Sequence, residues 1–330
     1  MDAATAAPVG EGFVVLLDEQ GREVARTLTA ADGRFLLRAP RPGPYRLRSE
    51  RIGYVAFVGP PFTLAVDQTL TRQLAVTALA VQLAAVEVTG RTTCRLDPDR
   101  AERREAVWEE ARKALAAAAW TESQGIYQYR TVAFERDWDE SRSVMRAQLS
   151  DTLFGHARAP FASVPAPELA GHGYIVAAAE SIAYYGPDAV VLQDSTFLAS
   201  HCFGLVRRSV HGEQQVGLSF QPEPRRRLPD VRGVLWLDEA TAELRSLDFS
   251  YTLVPEGVTD ERIGGTVEYL RMPSGAWIIR RWELRMPRLA AQAVTSGYES
   301  QRRVVVRGFR DVGGAVLEIR ALDGRRVYPP

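Results

Sequence analysis

The sequence is short of several residue types, and each shortage removes a class of function. Of its 41 basic residues one alone is a lysine, Lys113, and the rest are arginines. That bias reads as coding composition before it reads as arginine chemistry. With 41 acidic residues in balance the net charge is zero, so no field draws in a polyanion and nucleic acid is not expected as a partner. No apolar run approaches the roughly 20 residues that a membrane-spanning helix needs. The opening MDAATAAPVGEG lacks the basic start and apolar core of a secretory signal. The four histidines, His156, His172, His201 and His211, form no HExxH, HxxE or HxH pair, so the regular zinc-hydrolase spacings are absent. There is no G-x-S-x-G elbow and no phosphate-binding G-x-x-x-x-G-K-[ST] loop. Gly264-Gly265 has no following helix and reads as a turn. The two cysteines, Cys94 and Cys202, lie far apart and make no CxxC, which excludes a zinc knot. They are either two free thiols or one disulfide, whose loop of about a hundred residues is worth about 4–5 kcal/mol in the chain-entropy model. No catalytic, cofactor-binding or metal-ligating residue is assigned.

What is present belongs to a globular protein: hydrophobic residues make 46% and charged residues 25% of the chain. From Gly12 to about residue 80 the pattern is one of short strands and turns. GFVVLLD is an apolar strand closed by Glu19-Gln20-Gly21, and EVARTLT alternates with period two. Asp32-Gly33 is the strongest hairpin signal, since both residues tolerate positive φ. FLLRA and YRLRSERIGY follow, separated by Pro40, Pro42, Gly43 and Pro44. FTLAV and TLTRQLAV complete what reads as a small antiparallel β-sandwich.

Thr29, Asp32, Gly33 and Phe35 followed by Pro42, Gly43, Tyr45 and Leu47 resemble the T-x-x-D-G-x-F and P-G-x-Y-x-L segments of the carboxypeptidase regulatory-like domain, a transthyretin-like β-sandwich. The resemblance covers roughly residues 1–80 and implies an accessory domain without catalytic residues. Asp2, Thr5, Pro8 and Val9 are similar to the turn that follows the first strand in that family, which implies one strand and an export signal upstream of Met1. LAVQLAAVEVTGR, residues 79–91, is similar to the run behind this sandwich at the front of TonB-dependent receptors, although too few residues follow for a receptor barrel; the same run also reads as a plain strand with a glycine stop. The implied location is the periplasm or cell envelope. Export in turn favours the Cys94–Cys202 disulfide.

Behind a linker at residues 81–98, residues 99–330 read as one helix and a large antiparallel sheet. In LDPDRAERREAVWEEARKALAAAAWTES the residues Val107, Trp108, Ala111, Ala114, Leu115 and Ala118 form one apolar stripe. Residues 155–187 read as a long excursion, and strands follow to the C terminus, including AVVLQDSTFLASHCFGLVRRSV. In WIIRRWELRMP strict alternation puts Ile278, Trp282, Leu284 and Met286 on one face. The fold class is mainly β with one long helix: the sandwich, then an α+β curved antiparallel sheet, whose strand pattern is similar to the half-barrel of periplasmic lipoprotein carriers.

Tyr184, Tyr185, Trp236, Trp277 and Trp282 are candidates for a ligand cleft, with core packing as the alternative. Asp137, Asp139 and Glu140 read as a solvated turn before a calcium site, and Arg225, Arg226 and Arg227 as a solvated loop before a phosphate contact. The expectation is a non-catalytic envelope protein that binds an apolar ligand, a partner protein or a surface glycan. A hydrolase assembled from distant residues and a purely structural scaffold are the alternatives. For the hydrolase, the deciding feature is a cleft that brings a histidine to an acid.

Overall fold

The computed structural model describes residues 1–78, 98–155, 161–177, 182–254, 258, 263–296 and 299–329. In the N-terminal layer β1 (Phe13–Leu17) is buried at all five positions, because it pairs on one edge with β2 (Glu23–Leu28) and on the other with β3 (Gly43–Glu50). The strands β4 (Phe57–Val58) and β5 (Phe62–Leu64) both add to β3. Asp18 closes the β1–β2 turn by accepting the Gln20 and Arg22 amides on its Oδ1, at 3.0 and 2.8 Å. Two expected strands do not form. FLLRA, along which inward and outward positions alternate, enters no sheet, and TLTRQLAV makes a single bridge, from Val76 to Asp2. Their sequence pattern is that of a strand, and a strand exists as such only where a neighbour satisfies its backbone.

The long helix α1 (Pro98–Gln124) buries the expected stripe: Val107, Ala111, Ala114, Leu115 and Ala118 are inaccessible to solvent. It is followed by the hairpin β6 (Tyr127–Trp138) and β7 (Met145–Gly155). Asp139 caps their turn, with its Oδ1 accepting the amides of Ser143 and Val144, while Asp137 accepts from Arg310. These acids serve the hairpin. Then come α2 (Ala166–His172), the small ladder β8 (Ile175–Ala177) and β9 (Ile182–Tyr184), α3 (Ala189–Gln193) and α4 (Ser195–Ser200). The last two correct the expectation of a continuous strand from Ala189. Asp188 Oδ1 accepts the amides of Val190 and Val191, and Asp194 Oδ1 accepts that of Thr196. Each aspartate thus acts as an N-cap that overrides the β-branched composition behind it.

Seven further strands follow in an antiparallel run, β10 (His201–Val210), β11 (Glu213–Pro222), β12 (Val231–Asp238), β13 (Leu244–Tyr251), β14 (Gly264–Arg271), β15 (Trp277–Ser296) and β16 (Glu299–Ala321). From β11 on each pairs with its predecessor; β6 then joins the far edge of β16 and β7 the edge of β6, while β17 (Arg326–Tyr328) pairs with β16. The helix α1 touches β10, β11 and β15, so the sheet curls around it, and it also packs on α3. One face of the sheet is therefore a core: Val216, Leu218, Leu235, Leu247, Phe249, Val267 and Ile279 are all buried against the helices. Strict alternation fails in β15. Ile279 and Arg281 pair with the consecutive residues Tyr269 and Glu268, which leaves Arg280 as a bulge. The bulge reverses the phase. Trp277, Ile279, Trp282 and Leu284 lie with the helix-side core, while Ile278 joins a second cluster with Tyr127, Tyr129 and Ile319.

The sandwich docks on α1 through charge and aromatic contact. Glu50 accepts from Arg112 at 3.0 Å and pairs with Arg48 at 2.9 Å. Glu110 accepts the Gly53 amide at 3.0 Å and the Lys113 ammonium at 2.6 Å, and Lys113 also donates to the Tyr54 carbonyl at 2.7 Å. Both Glu110 and Lys113 are buried. Phe13 meets Trp120 edge-on at 5.1 Å. The turn before β15 comes so close that a Cβ on Gly275, at φ +81°, would lie 2.5 Å from that of Glu11.

Candidate functional site

Opposite the helices, the sheet turns a polar face outward. On β11 to β14 the positions alternating with the core carry Ser219, Gln221, Arg232, Asp248, Ser250 and Thr266. Short hydroxyl side chains there, and no side chain at Gly264, leave a cleft of about 550 Å³ that extends to Glu283 and Arg285 on β15. Arg232 Nε donates to Ser250 Oγ at 3.2 Å, and Thr266 donates to Asp248 Oδ1 at 3.0 Å. Arg208 donates to the other oxygen of Asp248 at 2.7 Å, and its guanidinium lies 4.0 Å above the Trp236 ring. Gly217 makes room for that ring: a Cβ there would meet Trp236 at 2.8 Å.

The strip continues across β15, β16 and β6. Glu283 accepts from Arg281 and Arg285, each at 3.3 Å. Buried Asp311 accepts from Arg285 at 3.0 Å, Arg142 at 3.2 Å and the Trp138 indole at 2.7 Å. Asp248, Glu283 and Asp311 are thus held by Arg142, Arg208, Arg281 and Arg285, and Arg232 bonds Ser250 on the same face. Among the described residues several guanidinium groups line this strip, and the hydroxyls between them can donate or accept. Such a surface is suited to an oxygen-rich ligand that bears an acidic group.

The five aromatics do not meet in one cleft. Trp277 is 2% exposed within the core. Trp282 packs on Phe161 at 5.6 Å, Tyr184 on Tyr251 at 5.6 Å, and Tyr185 donates its amide to the Tyr174 carbonyl at 2.9 Å. These four lie under the helices, and Trp236 lies on the opposite face. Burial, which pushes the Tyr184 phenol up to about 12, follows from core packing. Nearby, burial and the Asp188 carboxylate raise Glu122 to about 8. Cys202 is buried on β10; Cys94, its expected partner, lies outside the described residues, as do His156 and nearly all of the expected linker.

One histidine does reach an acid. His201 Nε2 lies 3.2 Å from Asp230 Oδ1, with the two side chains 1% and 0% exposed. The His201 ring stacks on Phe197 at 3.9 Å, and its Nδ1 lies 3.1 Å from Ser200 Oγ. Asp230 also holds Arg226, whose guanidinium donates to the Leu169 and Ala170 carbonyls. This cluster ties the end of α2 and the loop before β12 to β10. The side chains of His201 and Asp230 are both sealed from solvent. Of the three loop arginines, Arg226 is thus a structural anchor, while Arg225 and Arg227 are exposed.

Nothing in the sequence sets the cleft residues apart, because each is common alone. Their signal is the outward set in VRGVLW and RSLDFSY, where serine, arginine and aspartate recur at alternate positions.

Residues 1–77 match the carboxypeptidase regulatory-like domain family, and the N-terminal layer is a domain of that kind. A crystal structure of a DUF1329 family protein from Desulfovibrio piger aligns with 65% of this chain and 94% of that chain, at 11% identity and a TM-score of 0.26. That likeness is too slight to define the larger domain. No curated protein matches the chain. Among the described residues no helix is long and apolar enough to cross a membrane.

Proposed function

We propose that this is a non-catalytic binding protein of a Gram-negative-type cell envelope, and that its open sheet face holds an acidic glycan. The observation that carries the reading is the cleft on β11 to β15, where Ser219, Ser250 and Thr266 lie between Arg232 and Arg285. An apolar ligand is disfavoured because the helices and the segment around Phe161 already occupy the apolar face of the sheet. The envelope placement rests on the N-terminal domain and the run that follows it. The sealed His201–Asp230 pair speaks against a hydrolytic role.

Titration calorimetry with an oligogalacturonate and with a neutral maltooligosaccharide tests the proposal. The acidic sugar is expected to bind and to be recovered intact, while the neutral one does not bind. Each of Arg232→Ala and Arg285→Ala should weaken binding about ten- to a hundred-fold, since a hydrogen bond to a charged group contributes about 1.5–3 kcal/mol. Equal binding of both sugars, no binding of either, or cleavage of the acidic one would overturn it.

A further inference from the structure

The strand registers align the cleft into lines that run across the sheet. Arg232 pairs with Ser250, Ser250 with Gly264, Gly264 with Arg285 and Arg285 with Asp311, so one line crosses β12 to β16. Two residues along each strand, a second line joins Val234, Asp248, Thr266 and Glu283. Both lines belong to the open face, since alternate residues of a strand point the same way. The first line carries the arginines of the cleft and the second carries its carboxylates.

Between Arg232 and Arg285 the first line is low. Ser250 is short, and Gly264 has no side chain because a Cβ there would run into the Phe249 carbonyl. Arg232 leans toward β13, where its Nε donates to Ser250 Oγ, and Arg285 leans toward β16, where its Nε donates to Asp311. The two guanidinium groups therefore stay three strands apart, a gap of roughly 14 Å at about 4.8 Å per strand. Next to Arg285 the buried carboxylate of Asp311 ends the line and repels a further acidic group. Along the other side of the trough Asp248 and Glu283 repel acidic groups too, and each carboxylate has lone pairs for hydroxyl donors.

We propose that these lines make the cleft selective for the length of its ligand, an inference that rests on the reading of the cleft as an acidic-glycan site. The glycan lies across the strands, with the carboxylates of its first and fourth sugars on Arg232 and Arg285 and its hydroxyls turned to Asp248 and Glu283. The gap between the arginines is roughly the distance from the first to the fourth ring of a linear glycan, so a shorter chain reaches one arginine only. Arg232 and Arg285 are thus specificity-determining residues that measure the chain.

Titration calorimetry of the full chain with oligogalacturonates of two to six units tests this. The tetramer should bind at least about ten-fold more tightly than the trimer, as one added charged hydrogen bond requires. The dimer should stay close to the trimer, and the pentamer and hexamer within about three-fold of the tetramer. Arg285→Ala should bring the tetramer to the affinity of the trimer and leave the trimer, which still meets Arg232, within about three-fold of its original value. Arg232→Ala should do the same from the other end. The series on the unaltered protein decides the length step whether or not the variants fold. A step at another length, a smooth rise to the hexamer, or a step that survives in a folded Arg285→Ala overturns the length selection and leaves the acidic-glycan reading standing. No binding at any length overturns both.

Discussion

Removing the only lysine should loosen the joint between the two domains. Lys113 and Glu110 are 3% and 2% exposed at their side chains and 2.6 Å apart, and each also bonds the backbone of residues 53–54. Lys113→Met keeps most of the side-chain volume but leaves the Glu110 carboxylate buried with one amide donor. Breaking a buried pair by deleting one partner costs about 3–5 kcal/mol, far more than the pair's net worth. At about 2–4 °C per kcal/mol for a domain of this size, the melting temperature should fall by roughly 6–20 °C in differential scanning calorimetry. Replacing both residues together, by Met and Leu, removes the stranded charge and leaves mainly the lost bonds to the Gly53 amide and the Tyr54 carbonyl, worth about 1 kcal/mol each. The double variant should therefore melt above Lys113→Met. A drop below about 2 °C for the single variant, or a double variant that melts lower still, refutes the reasoning.

Two further outcomes are expected. Glu122 has a folded value of about 8 against 4.5 for the free group, so the folded state holds its proton more tightly than the unfolded state. Stability should fall as pH rises from about 4.5 to about 8 and level off above. Glu122→Gln should flatten that slope in thermal melts at pH 5 and pH 8, and an unchanged slope would remove Glu122 as its source. In protein purified from an oxidising compartment, Cys94 and Cys202 should resist alkylation until reductant is added, as mass spectrometry can count. Two alkylated thiols without reductant would end the disulfide expectation.

The stripe on α1 was legible because a 3.6-residue period survives whatever packs against it: Val107, Ala111 and Leu115 are as buried as their spacing requires. The Thr29–Leu47 signature was legible because its turn residues act locally. The failures share a cause outside the local pattern. Phe35–Ala39 has the alternation of a strand, but pairing depends on a neighbour the pattern cannot supply. The Arg280 bulge appears only when β15 is aligned with β14, and without it Ile278 falls on the wrong side. The aromatics of β9, β12 and β15 look alike in sequence; register alone separates Trp236 on the open face from Trp277 in the core. The cleft was hidden for the same reason, since four strands must align before Ser219, Arg232, Ser250 and Thr266 become neighbours.

The order of strands also sets the order in which the chain can fold. From β10 to β16 every ladder joins sequence neighbours, so each hairpin can close on the one before it with little loop entropy to offset. The hairpin β6–β7 is different: Trp138 of β6 pairs with Phe309 of β16, near the end of the chain. During synthesis this hairpin and α1 emerge early and must wait for the last long strand, with a β6 edge bare and the α1 stripe lacking β10, β11 and β15. The capture of β6 by β16 is therefore the expected slow step of folding, and the interval before it the one in which the bare β6 edge invites aggregation.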